Sequence, residues 1–178
     1  MLMDASMDTG DIIAQKPYAI TSTDTLPSLT NTLADLSGTL LLETLPAWIE
    51  RSITPQKQDD SQATLCQLIE RADGQLMWLQ DAESLYNRYR ALTPWPGIYC
   101  FWKRESLMRL KLHTIGYQKN NSQTHHAVGT VFEIGEKIGV QAGMGIIFLE
   151  EVQLEGKTKV TIQEFIKGYP DFIGATLQ

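Results

Sequence analysis

The pentapeptide Thr93-Pro94-Trp95-Pro96-Gly97 constrains this chain more than any other stretch. A proline fixes φ and removes a backbone donor, so two prolines this close exclude both a helix interior and a central strand. The chain must bend here, and its texture changes across the bend. Upstream, apolar residues recur with the helical period; downstream, short apolar runs alternate between glycine turns. Trp95 reads either as a platform for a stacked base or as the buried anchor of a rigid bend.

On the upstream side, Leu26, Leu29, Leu33, Leu36, Leu40, Leu41 and Leu45 recur at steps of three and four, which predicts one long helix over 26–51. Thr25 is its expected N-cap, and Pro27 fits the first turn, where a missing N–H is harmless. Gly38 and Pro46 weaken or kink it. The leucine stripe is expected to be core. Before the helix, "GDIIAQKPYAI" reads as a strand leaving a glycine turn. After it, residues 53–62 are polar, carry no period and read as linker. "DAESLYNRYRAL" predicts a short helix over 81–92 capped by Asp81, with Glu83 in its first turn and Leu85, Tyr89 and Leu92 on one face.

Downstream of the bend, "GIYCFWKRESLMRLKLHTIGY" predicts two strands around a turn near 104–106. "GTVFEIGEKIGVQAGMGIIFLEEVQLEG" predicts three more, with turns at 135–137 and 143–145. Five short strands with regular glycine turns suggest a small barrel or sandwich. Thr161 and Glu164 form a capping box for a last short helix that Gly168 ends.

Length allows about one domain or one and a half among the 178 residues. No segment approaches the roughly 18 apolar residues of a membrane helix, and no basic start precedes an apolar run. A cytoplasmic setting with no membrane partner is therefore expected, with Cys66 and Cys100 reduced. The formal net charge of −6 argues against nucleic acid on average, yet from 88 to 132 seven Lys and Arg face the single acid Glu105. Such a split suggests one polyanion-facing surface. Alternation along "RLKLH" puts Arg109, Lys111 and His113 on one face. His125 and His126 lack a carboxylate or cysteine at ligand spacing, so a loop rather than a metal site is expected.

Asp8-Thr9-Gly10 has the look of an aspartic protease turn, but Asp11 stands where that chemistry needs a small residue, and a leucine helix follows. Three segments in order support another reading. "MDASMDTGD" begins at Met3, "QDDSQATLCQLIERADGQLMW" at Gln58, and "NRYRALTPWPG" at Asn87. Together they resemble methionyl-tRNA formyltransferases, whose pattern is roughly Met-Asp-x-Gly-Leu-Asp-Thr-Gly-Asp, then Gln-Asp-x-x-x-Ala-Thr-Tyr-Ala closing on Asp-Gly-x-Ile-Asp-Trp, then Asn-x-x-Arg-Ala-x-x-Pro-Trp-Pro-Gly. Any one of these would be weak; three in order are specific. Ser6, Met7, Leu65, Cys66 and Met77 depart from the pattern.

The resemblance implies an α+β chain. Residues 1–52 would be the remnant of an α/β Rossmann-like catalytic domain (one strand, one long helix), 53–72 a linker, and 73–178 an OB-like β-barrel that binds tRNA. It implies formyl transfer from 10-formyltetrahydrofolate, with no metal, to the amino group of initiator methionyl-tRNA. An amine attacks a formyl carbon, so donors aimed at the oxyanion and a route for the amine proton are needed. In the family an Asn and a His supply them and an Asp holds the His; Asp8 matches that Asp, making it the expected catalytic residue. Gly10 would turn the backbone beside the folate. Arg90, Lys103, Arg104, Arg109, Lys111 and Lys119 are the expected tRNA contacts, which position rather than read the nucleic acid. The family's Asn-x-His-x-Ser-Leu-Leu-Pro motif does not occur in these residues. The chain is therefore expected to be inactive alone and to need a separate or upstream-encoded N-terminal half. The alternatives are a non-catalytic tRNA-binding module and a relative of the sugar formyltransferases.

Overall fold

The computed structural model describes residues 1–119 and 126–178, and the chain divides into two compact units, Met1–Leu68 and Ile69–Gln178. The first unit is built around α1, Leu26–Ile49. Thr25 caps it as its residue type dictates: the Thr25 hydroxyl accepts from the Ser28 N–H, and the Ser28 hydroxyl accepts from the Thr25 N–H. Pro27 sits in the first turn and Pro46 inside the helix.

Two expectations for this unit are corrected. No residue of α1 is buried: within the stripe Leu41 is 60% and Leu26 44% exposed, and Leu29, Leu36 and Leu40 are half-buried, so the leucine stripe is a partly exposed surface rather than core. The residues around "DIIAQKPYAI" form no strand. Ile12 makes one antiparallel bridge, exchanging backbone hydrogen bonds with Gln56. A strand exists only through a ladder; Gln56 offers a single rung, and Pro17 has no N–H to continue it.

The second unit is an antiparallel sheet with helices packed on it. α2, Ala82–Leu92, is capped by Asp81, whose carboxylate accepts from the Ser84 N–H. The strands are β1 (Ile98–Lys103), β2 (Leu107–Gln118), β3 (Val131–Ile134), β4 (Lys137–Gln141), β5 (Ile146–Leu154) and β6 (Val160–Thr161). α3, Ile162–Gly168, has the expected Thr161/Glu164 capping box. The sheet order is β1-β2-β5-β4-β3, with β6 on β5. β6 is too short for a period to show.

The C-terminal residues close this sheet. The Val131 N–H donates to the Ala175 carbonyl at 2.8 Å, and the Leu177 N–H to Gly129 at 2.9 Å. Phe101 and Gln178 exchange backbone bonds of 2.7 and 2.8 Å. Residues 174–178 thus pair with β3 on one side and β1 on the other, joining the two open edges into a ring of strands. Closure of this kind removes the unpaired groups that an edge exposes. Inside the ring, alternate residues such as Leu110, Leu112, Val140, Ile147, Leu149 and Val152 are buried, and α2 covers β2 and β5 with Leu85 and Leu92. Trp102 is ringed by Phe165, Tyr169 and Phe172 at centroid distances of 6.0, 5.8 and 5.1 Å, each edge to face.

Candidate functional site

Alternation along β1 and β2 builds one outer face. Cys100 and Trp102 of β1 and Leu110 and Leu112 of β2 point into the core, so Tyr99, Phe101 and Lys103 lie outward beside Arg109 and Lys111. The register pairs Tyr99 with Lys111 and Phe101 with Arg109. His113 is on the same face, where its Nε2 hydrogen-bonds Gln153 Oε1 at 2.9 Å. Beyond it the ladder shifts register around Thr114, so Ile115 rather than residue 114 returns to the core.

At the margin of this face lies a cleft of about 330 Å³ lined by residues that include Arg71, Trp95, Tyr99, Arg109, Lys111 and Glu155. Its walls come from distant parts of the sequence. Arg71 arrives on a 3-10 turn, Arg71–Gly74, docked to β1 by the Leu76 N–H donating to the Tyr99 carbonyl at 2.8 Å. The Arg88 guanidinium fastens the same turn through the Asp73 carbonyl. Trp95 arrives on the proline bend, where the Thr93–Pro94 and Trp95–Pro96 bonds are both cis. Gly97 ends the bend with φ +74°, a conformation that favours glycine, and a Cβ there would come within 2.7 Å of Lys111 Cε. Of the two readings of Trp95, burial is excluded: it is 56% exposed, while Trp78 and Trp102 are 5% and 1%.

The electrostatics of the cleft are positive. Arg71, Arg109 and Lys111 face one carboxylate, Glu155, which accepts from the Arg109 backbone N–H at 3.3 Å. The Arg109 guanidinium lies 5.6 Å from the Tyr99 ring centroid. The other expected cations are dispersed. Lys103 is exposed at the end of β1, on the same face as Arg109. Arg104, in the β1–β2 turn, pairs with Asp171 at 2.8 Å and stacks over Trp102 and Tyr169. Arg90 donates to the Asn87 side chain within α2. Lys119 follows β2, ten residues or roughly 30 Å of strand from Arg109. There it pairs with Glu83 at 2.6 Å, and this hydrogen bond holds the lysine pKa above its ordinary value. Arg71 was invisible to sequence reasoning because it sits in apparent linker; only the docking of its turn on β1 brings it in.

Asp8 belongs to the first unit. It is exposed, has φ 58°, and its carbonyl accepts from Gln58 Nε2 at 2.8 Å, as does the carbonyl of Gly10. The Gly10 turn is packed against its own chain: a Cβ there would lie 1.9 Å from the Leu2 carbonyl oxygen. His126 stacks on Phe132 at 4.2 Å, whereas His125 lies outside the described residues. Cys100 is buried, and burial pushes its thiol pKa far above the ordinary range. No helix among the described residues is long and apolar enough to cross a membrane.

Comparison with known proteins places this architecture. Residues 68–170 match the formyl transferase C-terminal domain family. The chain is 38% identical to a methionyl-tRNA formyltransferase of Caldicellulosiruptor saccharolyticus, over 95% of this chain and 53% of that protein. It is 34% identical to the enzyme of Streptococcus gordonii, over 91% of this chain and 50% of that protein. The chain thus spans about half the length of the curated relatives it matches. Among solved structures, HypX from Aquifex aeolicus in complex with tetrahydrofolic acid has a TM-score of 0.65 at 14% identity, covering 96% of this chain and 29% of that one. A substituted variant of the same protein has a TM-score of 0.66 at 14% identity, over 96% and 30%. At that identity the likeness is one of fold. The family match runs over more than half of the chain and takes in the second unit up to residue 170, so this chain belongs to the formyl transferase C-terminal domain family.

Proposed function

We propose that this chain is the C-terminal portion of a cytoplasmic methionyl-tRNA formyltransferase, and that its second unit is an OB-like barrel that holds initiator methionyl-tRNA by its phosphates. The observation that carries the proposal is the convergence of Arg71, Arg109 and Lys111 on one cleft of the unit that matches the family. Lys103 extends that surface along β1. Arg90, Arg104 and Lys119 complete the contact set. The Arg104–Asp171 and Lys119–Glu83 pairs are partly exposed, and ion pairs of that kind are weak enough to yield to a phosphate. Contacts of this sort fix the orientation of a nucleic acid without reading its sequence.

Residues 1–52 are proposed as the closing part of a Rossmann-like catalytic domain and 53–72 as its linker, with the remainder of that domain supplied by an N-terminal half of the enzyme. In that setting Asp8 would hold the catalytic His, since a carboxylate beside an imidazole favours the protonated ring. The formyl donor of the whole enzyme is proposed to be 10-formyltetrahydrofolate. The described residues around Asp8 do not form a site for it by themselves. The glycine turn that would cradle a ligand is filled by the Leu2 carbonyl, and Asp4 is engaged with Thr9 and Ser6. No step of the transfer is therefore assigned to them beyond the placement of a carboxylate.

The test is tRNA binding as a function of salt. Each neutralised phosphate contributes about 0.9 to the slope of log K against log salt on duplex regions. Replacing Arg71, Arg109 and Lys111 together with Ala should lower the slope by about 2–3 and weaken binding to all tRNAs alike. An unchanged slope would show that these cations are ordinary solvated side chains.

A further inference from the structure

Phosphate contact explains the cations of the cleft but not its shape or its indole. A duplex backbone needs positive charge on an open face, and Lys103 and Arg109 already provide that. Trp95 is instead held beside a concavity of about 330 Å³, within the range from about 300 Å³ upward in which proteins hold small ligands. Its position is fixed before any ligand arrives. Prolines flank it, the Thr93 N–H donates to Tyr89, and the Gly97 N–H donates to Leu92 at 2.9 Å. A preset, exposed indole retains its apolar surface in water, unlike Trp78 and Trp102 of the same unit. The charged groups of the cleft are chiefly donors: two guanidinium groups and an ammonium against the Glu155 carboxylate.

We infer that the cleft takes one unpaired nucleotide, its base stacked on Trp95 and its phosphate held by Arg71, Arg109 and Lys111. This rests on the nucleic-acid reading above and adds to it a demand for single-stranded structure. A base inside a duplex has both faces covered by its neighbours, whereas an unpaired base offers a free face to an aromatic ring. Such stacking is tolerant of base identity, because every base has a π-face. An acidic peptide would satisfy the cations but leave the indole without a planar partner.

The experiment compares binding of the 178-residue chain to a labelled single-stranded RNA and to a duplex RNA of equal length, each over a range of salt. Trp95→Ala should weaken the single strand by about 5- to 150-fold, the range of one lost base stack, with the salt slope unchanged. Trp95→Phe should recover most of that loss. Lys111→Ala should lower the slope for both RNAs. Acrylamide quenching of the unsubstituted chain gives a readout independent of any variant's folding: the single strand should shield an exposed indole and the duplex should not. The inference is overturned if Trp95→Ala affects both RNAs equally or neither, if the duplex shields the indole as well, or if poly-glutamate competes as effectively as the single strand. Salt-dependent RNA binding with a silent Trp95 would remove this inference and leave the proposed function standing. No binding to either RNA would remove both.

Discussion

The C-terminal closure of the sheet makes a quantitative prediction. Leu177 is 3% exposed and bridges Trp102, while its neighbour Thr176 bridges Thr130 and is itself exposed. Leu177→Ala leaves the backbone ladder in place and removes three buried carbons from the core. Deletions of this kind cost about 2–5 kcal/mol, because the lost transfer energy is joined by the cavity left behind. Thr176→Ala tests the ladder position alone and should stay within about 0.5 kcal/mol. Urea unfolding followed by tryptophan fluorescence separates them. With a slope of about 1.5 kcal/mol per molar, a loss of about 3 kcal/mol lowers the Leu177→Ala midpoint by about 2 M. The slope itself should not change, since both proteins expose nearly the same surface. Removing residues 175–178 goes further. It deletes the bonds Val131–Ala175 and Gly129–Leu177 and both bonds between Phe101 and Gln178, so β1 and β3 become free edges. That protein should be less stable than Leu177→Ala and should self-associate with rising concentration. Equal midpoints for Leu177→Ala and Thr176→Ala would refute the claim that this tail is part of the core.

Limited proteolysis should cut first within residues 63–70, where no regular structure is present and Leu65 and Leu68 are 101% and 91% exposed, and should release a resistant piece containing the sheet; mass spectrometry of the first fragments checks this. Thr25→Ala should cost the first unit about 1 kcal/mol of helix stability and lower its helical circular dichroism, because the Ser28 N–H loses its acceptor. Acid should destabilise the second unit. The backbone N–H of Thr161 above all, and then its hydroxyl, hold the Glu164 pKa below its ordinary value. A depressed carboxylate stabilises the fold above its unfolded pKa of about 4.3 and loses that contribution as pH falls through the folded value. Melting temperature between about pH 3 and 6 should therefore fall less steeply for Glu164→Gln than for the unsubstituted chain.

Local signals in this sequence are strong where they are chemical. Thr25, Asp81 and Thr161 announce their helices because a hydroxyl or carboxylate at that position satisfies an N–H that the helix leaves open. The strands β1 to β5 and their turns follow from alternation and glycine, since both are properties of neighbouring residues. The outward placement of Arg109 and Lys111 is legible for the same reason. What the sequence could not carry was anything that depends on a partner far along the chain. "DIIAQ" has the composition of a strand, but its fate rests on whether a ladder is there to meet it, and only Gln56 is. The leucines of α1 have helical spacing, which fixes the helix and says nothing of what covers its face. Arg71 and Trp95 are separated by polar and helical sequence and meet only because a 3-10 turn docks on β1 beside the proline bend. Residues 174–178 carry almost no local signal, and they close the sheet because two edges with unpaired N–H and C=O groups stand one strand's width apart.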